Sequence, residues 1–125
     1  ARFSAEDKPW YVAKKDIKNN IVFVVQGEDH PALFSKKIIA KNMNWINKKP
    51  KILPKKYYAK VRYRDKDKEC NIFSLDNNSY LIIFESKQKA ITTGQSIVLY
   101  DKEGTCISGG VISKRDIPFL GKNIE

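Results

Sequence analysis

With 125 residues and a net charge of +10, the chain has room for one domain, or for one domain and part of a neighbour. Its 42% hydrophobic and 11% aromatic content can fill a modest core, which argues against disorder despite 30% charged residues. No run reaches the roughly 18 apolar residues of a membrane span, residues 1–8 lack the apolar stretch of a signal peptide, and Cys70 and Cys106 are too few for a disulfide scaffold or a zinc site. The expected setting is the reducing cytoplasm, with no membrane partner.

The first elements read as a hairpin. Pro9-Trp10-Tyr11-Val12-Ala13 is a short aromatic and β-branched run, Asp16 to Asn20 carry turn chemistry, and Ile21-Val22-Phe23-Val24-Val25 is a nearly continuous apolar strand. A strand apolar on both faces calls for cover on both sides, and the first 26 residues hold nothing to supply it. Gly27 to Pro31 then break the chain. Ile38 to Ile46 fits a helix through Ile39, Met43 and Ile46, or a strand face through Ile39, Met43 and Trp45; strand is preferred. Lys48 to Lys56 is a basic loop punctuated by Pro50 and Pro54. Tyr57 to Arg64 alternates most clearly, with Tyr57, Ala59, Val61 and Tyr63 on one face and Tyr58, Lys60, Arg62 and Arg64 on the other. Further strands are expected at Cys70–Leu75, Tyr80–Phe84, Ile97–Tyr100 and Thr105–Ser113. Turn signals at Asp76–Ser79, Thr93–Gln95 and Asp101–Gly104 separate them, and Asp116 to Glu125 reads as a frayed tail. Short strands at this spacing indicate an all-β chain, a small antiparallel barrel or sandwich preceded by a hairpin.

Charge is distributed unevenly. From His30 to Arg64 there are nine lysines and two arginines without one Asp or Glu, while the remainder is close to neutral. An AT-rich genome would also enrich lysine, as the 20 Lys, 15 Ile and 9 Asn here illustrate, but it would not clear acids from 35 consecutive residues. Such a stretch is an electrostatic footprint for a polyanion. Its candidate RNA-binding residues are Lys55, Lys56, Tyr58, Lys60, Arg62 and Arg64, which combine point charges, guanidinium forks and a ring able to stack on a base. The competing readings are ordinary packing for Tyr58 and pairing of the arginines with Asp65, Asp67 or Glu69.

Catalytic chemistry is not expected in these residues. The single histidine, His30, precedes a proline in a turn, and Cys70 and Cys106 read as small core hydrophobes. No phosphate-binding glycine motif occurs. Gly109-Gly110 falls within a strand and points to a bulge or a close backbone approach.

Three segments resemble the tRNA-specific 2-thiouridylases, the MnmA/TrmU family. They are Pro9–Val12 with Asn19–Val22 and Gln26–Leu33; Lys60–Arg64 with Cys70; and Ala90–Tyr100 with Cys106 and Gly109–Ile112. The resemblance covers nearly the whole chain and implies the last third of such an enzyme. It implies the end of a central domain over residues 1–34, a carboxy-terminal β-barrel like the second domain of elongation factors over 35–117, and a tail over 118–125. Gly94-Gln95 would be the tight turn before a barrel-closing strand. The parent sulfurtransferase would use ATP, with magnesium, in an upstream PP-loop domain to adenylate the wobble uridine of a tRNA. A cysteine persulfide would then deliver sulfur to give 2-thiouridine. Implied partners are tRNA, the PP-loop domain and a sulfur-carrier protein. The alternative is a barrel that docks or scaffolds the catalytic domain or the sulfur carrier. The lysines of Lys48 to Lys56 match no motif of the family.

Overall fold

The computed structural model describes residues 8–62, 64–121 and 123–124, the side chain of Phe119 excepted; residues 1–7 and Tyr63, on which part of the sequence reading fell, lie outside them. Among the described residues the chain is all-β. Strands β1 (Trp10–Asp16) and β2 (Ile21–Gln26) form a two-stranded antiparallel sheet. The others close into a barrel in the order β3-β6-β5-β4-β7-β8, made of β3 (Phe34–Trp45), β4 (Lys55–Lys60), β5 (Lys68–Ser74), β6 (Tyr80–Lys89), β7 (Ser96–Tyr100) and β8 (Cys106–Arg115). The ambiguous stretch after Phe34 is thus a strand, and a longer one than its apolar pattern marked.

Alternation builds the barrel core. Ile38, Ile72, Ile82, Phe84, Ile97, Leu99 and Ile112 point inward and are at most 1% exposed. Each such burial contributes roughly 1.5–3 kcal/mol against leaving the side chain in water. Closure comes from β7, which pairs with β4 on one side and β8 on the other. The turn before β7 has Gly94 at φ 91°, where a side chain would be strained, and the Gln95 side chain accepts from the Thr92 amide at 2.8 Å. Strand β3 reaches both of its neighbours by bending at bulges. Its register with β8 shifts between Lys41 and Asn44, around Asn42 at φ 56°. Opposite that bulge, a Cβ on Gly110 would run into the Met43 sulfur and lie 2.7 Å from the Lys41 carbonyl oxygen. Gly110 is therefore the close approach that its position in a strand indicated.

The hairpin is tied to one end of the barrel. Asp16 receives both the backbone amide and the side-chain amide of Asn19, which closes the β1–β2 turn and lowers the Asp16 pKa. The turn at Pro31–Leu33 is capped by His30, whose Nδ1 accepts from the Ala32 amide at 3.1 Å. Ala13, Ala32 and Leu33 then pack with Ile117 in a small second core. Arg115 spans the junction. Its guanidinium donates to the carbonyl oxygens of Ala13 (2.6 Å), Ala32 (3.0 Å), Phe34 (3.5 Å) and Asp116 (3.3 Å), and to Ser35 Oγ (2.6 Å). Burial lowers the Arg115 pKa, and the neighbouring Asp116 carboxylate opposes that shift. Asp116 also accepts from the Lys36 and Lys37 amides. Asp116 and Ile117 are buried and so are not part of a frayed tail. Their polarity pattern carries no such signal, because their partners lie about 80 residues earlier.

Candidate nucleic-acid interface

Antiparallel pairing sorts the connections between two ends of the barrel. Loops 46–54, 75–79 and 101–105 gather at one end. Turns 61–67 and 90–95 lie at the other, with the hairpin and the residues after β8. Strand β4 runs from the first end to the second and carries the predicted site along its length.

The six candidate residues do not form one strand face. Tyr57 and Ala59 point into the core, so Lys56, Tyr58 and Lys60 share the outer wall. Lys55 begins the strand at the loop end, with its ammonium 5.3 Å from the Tyr57 ring centroid. The strand then stops at Lys60, not at Arg64. Alternation in the sequence continues beyond that point, but the chain turns there because the Asp65 amide bonds to the Arg62 carbonyl at 3.0 Å. The Arg62 guanidinium donates to Asp65 at 3.1 Å and to the carbonyl oxygens of Ala90 (2.8 Å) and Lys89 (3.3 Å). Arg62 therefore ties this turn to the end of β6. Arg64 is exposed within the turn.

Pairing with acids, the competing reading of the arginines, occurs at Arg62, and it also occurs at Lys56 and Lys60. Lys56 lies 3.1 Å from Glu69, which raises the lysine pKa, Lys60 lies 3.5 Å from Asp67, and Arg62 lies 3.1 Å from Asp65. Each pair is partly exposed, so each adds little stability and can be exchanged for a phosphate. Tyr58 stands opposite Tyr100, and Lys60 lies 5.5 Å from the Tyr100 ring centroid. The wall thus offers two half-exposed rings beside two lysines.

Other residues fall differently from the sequence reading. Cys70 is a core residue, as expected, and burial pushes its pKa up to about 12. Cys106 is exposed instead of buried, because it opens β8 at the barrel rim beside the 101–105 turn. Arg115 was not among the candidates; a lone arginine at the end of an apolar strand is the one signal it leaves. Among the described residues no three His, Cys, Asp or Glu side chains gather as a metal site, and no helix is long and apolar enough to cross a membrane.

The described residues form a closed six-stranded antiparallel barrel, and residues 35–112 match the model of the aminomethyltransferase beta-barrel domain family. The chain belongs to that family and corresponds to the carboxy-terminal part of the tRNA-specific 2-thiouridylases named MnmA. It is 43% identical over 118 residues to the MnmA of Stutzerimonas stutzeri, covering 94% of this chain and 31% of the relative. The Pseudomonas paraeruginosa protein is 44% identical over 108 residues, which are 86% of this chain and 28% of that one. The Psychromonas ingrahamii protein is 41% identical over 111 residues, 89% and 30% of the two chains. The chain thus spans about three tenths of the length of the curated relatives it matches.

Proposed function

We propose that these residues are the tRNA-gripping part of a 2-thiouridylase whose chemistry is done elsewhere in a longer cytoplasmic polypeptide. The observation that carries the reading is a coincidence of two features. A stretch of 35 residues without an acid lies almost wholly within a barrel shared with proteins named for acting on tRNA. On this reading Lys55, Lys56, Tyr58, Lys60, Arg62 and Arg64 contact RNA. Phosphates replace the Glu69 and Asp67 partners of Lys56 and Lys60, and Tyr58 packs on ribose or an unpaired base. Arg62 acts mainly by holding the turn that presents Arg64. The parent enzyme would consume ATP with magnesium at an upstream PP-loop domain, adenylate the wobble uridine and transfer sulfur from a cysteine persulfide. The present residues would bind and orient the tRNA only. Residues up to 34 would close the central domain and residues 35–117 would form the gripping barrel.

The test is a salt titration of tRNA binding by the 125-residue chain. Removing both cations in Lys60→Ala/Arg64→Ala, which spares the Arg62 clamp, is expected to weaken binding several-fold at about 0.1 M salt. The slope of log affinity against log salt should fall by roughly 1–2. An unchanged slope would reject the wall as the contact.

A second reading, a barrel that docks the catalytic domain or a sulfur-carrier protein, is favoured by the hairpin. Ile21, Val22, Phe23 and Val24 are each 44–56% exposed, on both faces of β2. This reading gains if the chain binds no tRNA yet restores activity to a separately made catalytic part.

A further inference from the structure

Of the five cations of the β4 wall and its turn, only Lys55 and Arg64 lack an ion pair among the described residues. Lys56, Lys60 and Arg62 each have a carboxylate within 4 Å, whereas Lys48, Lys49 and Lys51 in loop 46–54 have no ion pair among the described residues and are exposed. The carboxylates at that end of the barrel come from the neighbouring loops. Asp101 is engaged as an acceptor for the Glu103 and Thr105 amides of its own turn.

The loop is also held in place at both of its ends. The Ile46 amide bonds to the Ile107 carbonyl at 3.0 Å, Lys55 enters β4 directly, and Pro50 and Pro54 restrict the backbone between them. Restricted lysines lose less freedom on binding than lysines of a floppy tail. Aromatic residues stand where the loop leaves β3 and enters β4. The half-buried Trp45 donates to the Tyr80 hydroxyl at 3.3 Å, its ring lies 5.5 Å from that of Tyr80 and 6.4 Å from that of Tyr57, and Lys55 sits over Tyr57. Exposed Ile46 and Ile52 flank the cations.

We propose that loop 46–54, through Lys48, Lys49 and Lys51, is the principal phosphate-gripping element of this barrel, and that the β4 wall is a secondary contact reached by the same RNA strand. The inference rests on the RNA-binding reading and places its strongest charge at the end of the barrel opposite the hairpin. Strand β4 links loop and wall. At about 3.3 Å per residue, Lys56 to Lys60 covers roughly 13 Å, so loop and wall together can follow several successive phosphates.

The experiment measures binding of bulk tRNA by the 125-residue chain across a salt series, with circular dichroism to verify folding. It compares the wild type, the loop variant Lys48→Ala/Lys49→Ala/Lys51→Ala, the wall variant Lys60→Ala/Arg64→Ala, and a charge removal elsewhere equal to that of the loop variant, Lys15→Ala/Lys18→Ala/Lys114→Ala. The loop variant is expected to bind at least about tenfold more weakly at about 0.1 M salt, with a salt slope smaller by roughly 2, and the control to lose less than about threefold. Equal losses in the two variants would overturn the proposal in favour of general charge. A loss seen only in Lys60→Ala/Arg64→Ala would overturn it in favour of the wall. A wild type that fails to bind tRNA at any salt would reject the RNA-binding reading itself, and binding only to phosphatidylserine vesicles would assign the loop to a membrane surface.

Discussion

The barrel and the hairpin are built from similar apolar strands, yet they satisfy those strands differently. In the barrel every strand has two neighbours, so one face can be buried completely and no edge is left open. In the hairpin each strand has one neighbour, and Val22 and Val24 remain exposed on β2. A two-stranded ribbon is marginal in water unless something else holds it. Here that support is concentrated in Arg115 and Ile117, together with Lys89, which reaches Glu28 and Asp29 at 3.3 and 3.0 Å. An apolar run thus becomes a self-sufficient core only when the topology gives it neighbours.

The largest expected effect comes from breaking the junction. Arg115→Met would leave the Ala13 and Ala32 carbonyls without their donor, costing about 2–4 kcal/mol. Amides of β1 and β2 are then expected to lose hydrogen-exchange protection while those of β5 and β6 keep theirs. Hairpin amides exchanging as slowly as in the wild type would show that the junction does not depend on Arg115.

A smaller effect tests how dry the barrel is. Buried Cys70 holds its proton up to about 12, against an ordinary thiol value of 9.0, whereas the unfolded chain releases it near that lower value. Unfolding therefore releases a proton in this window. The Cys70 contribution is constant below pH 9 and declines by roughly 1.4 kcal/mol per pH unit as pH rises towards 12. Lysines and tyrosines titrate in the same range, so the measurement is the difference in unfolding free energy between the wild type and Cys70→Ala at pH 8 and pH 10. Parallel pH dependences in the two proteins would mean that Cys70 is reached by water.

The smallest effect belongs to the exposed face of the hairpin. Val22→Thr with Val24→Thr should move stability by less than about 0.5 kcal/mol, because neither side chain leaves a packed site. A loss above 1 kcal/mol in urea unfolding would mean that this face is covered in solution.

Much of the barrel was legible in the sequence because strand alternation is local. The inward set Tyr57 and Ala59, the buried Cys70, the turn at Gly94 and the close approach at Gly110 all follow from period-two patterning or from glycine. The candidate site was only partly legible. Tyr58 and Lys60 fall on the outer wall as alternation requires, but alternation alone does not show that β4 ends at Lys60. The Asp65 amide closes the turn that ends it, and the Arg62 contact with the Ala90 carbonyl, 28 residues away, fixes that turn against the end of β6. The lysines at 48, 49 and 51 were visible as a basic loop, yet their lack of carboxylate partners depends on which strands lie beside them.

The sequence by itself determined an all-β chain, its turns, its acid-free third and its kinship, because propensity, alternation and composition act over a few residues. Only the tertiary structure decided which cations are neutralised, where β4 ends, and that Arg115 and Asp116 join the two parts of the molecule. Those outcomes depend on contacts across as many as 102 residues of chain, and local pattern carries no record of them.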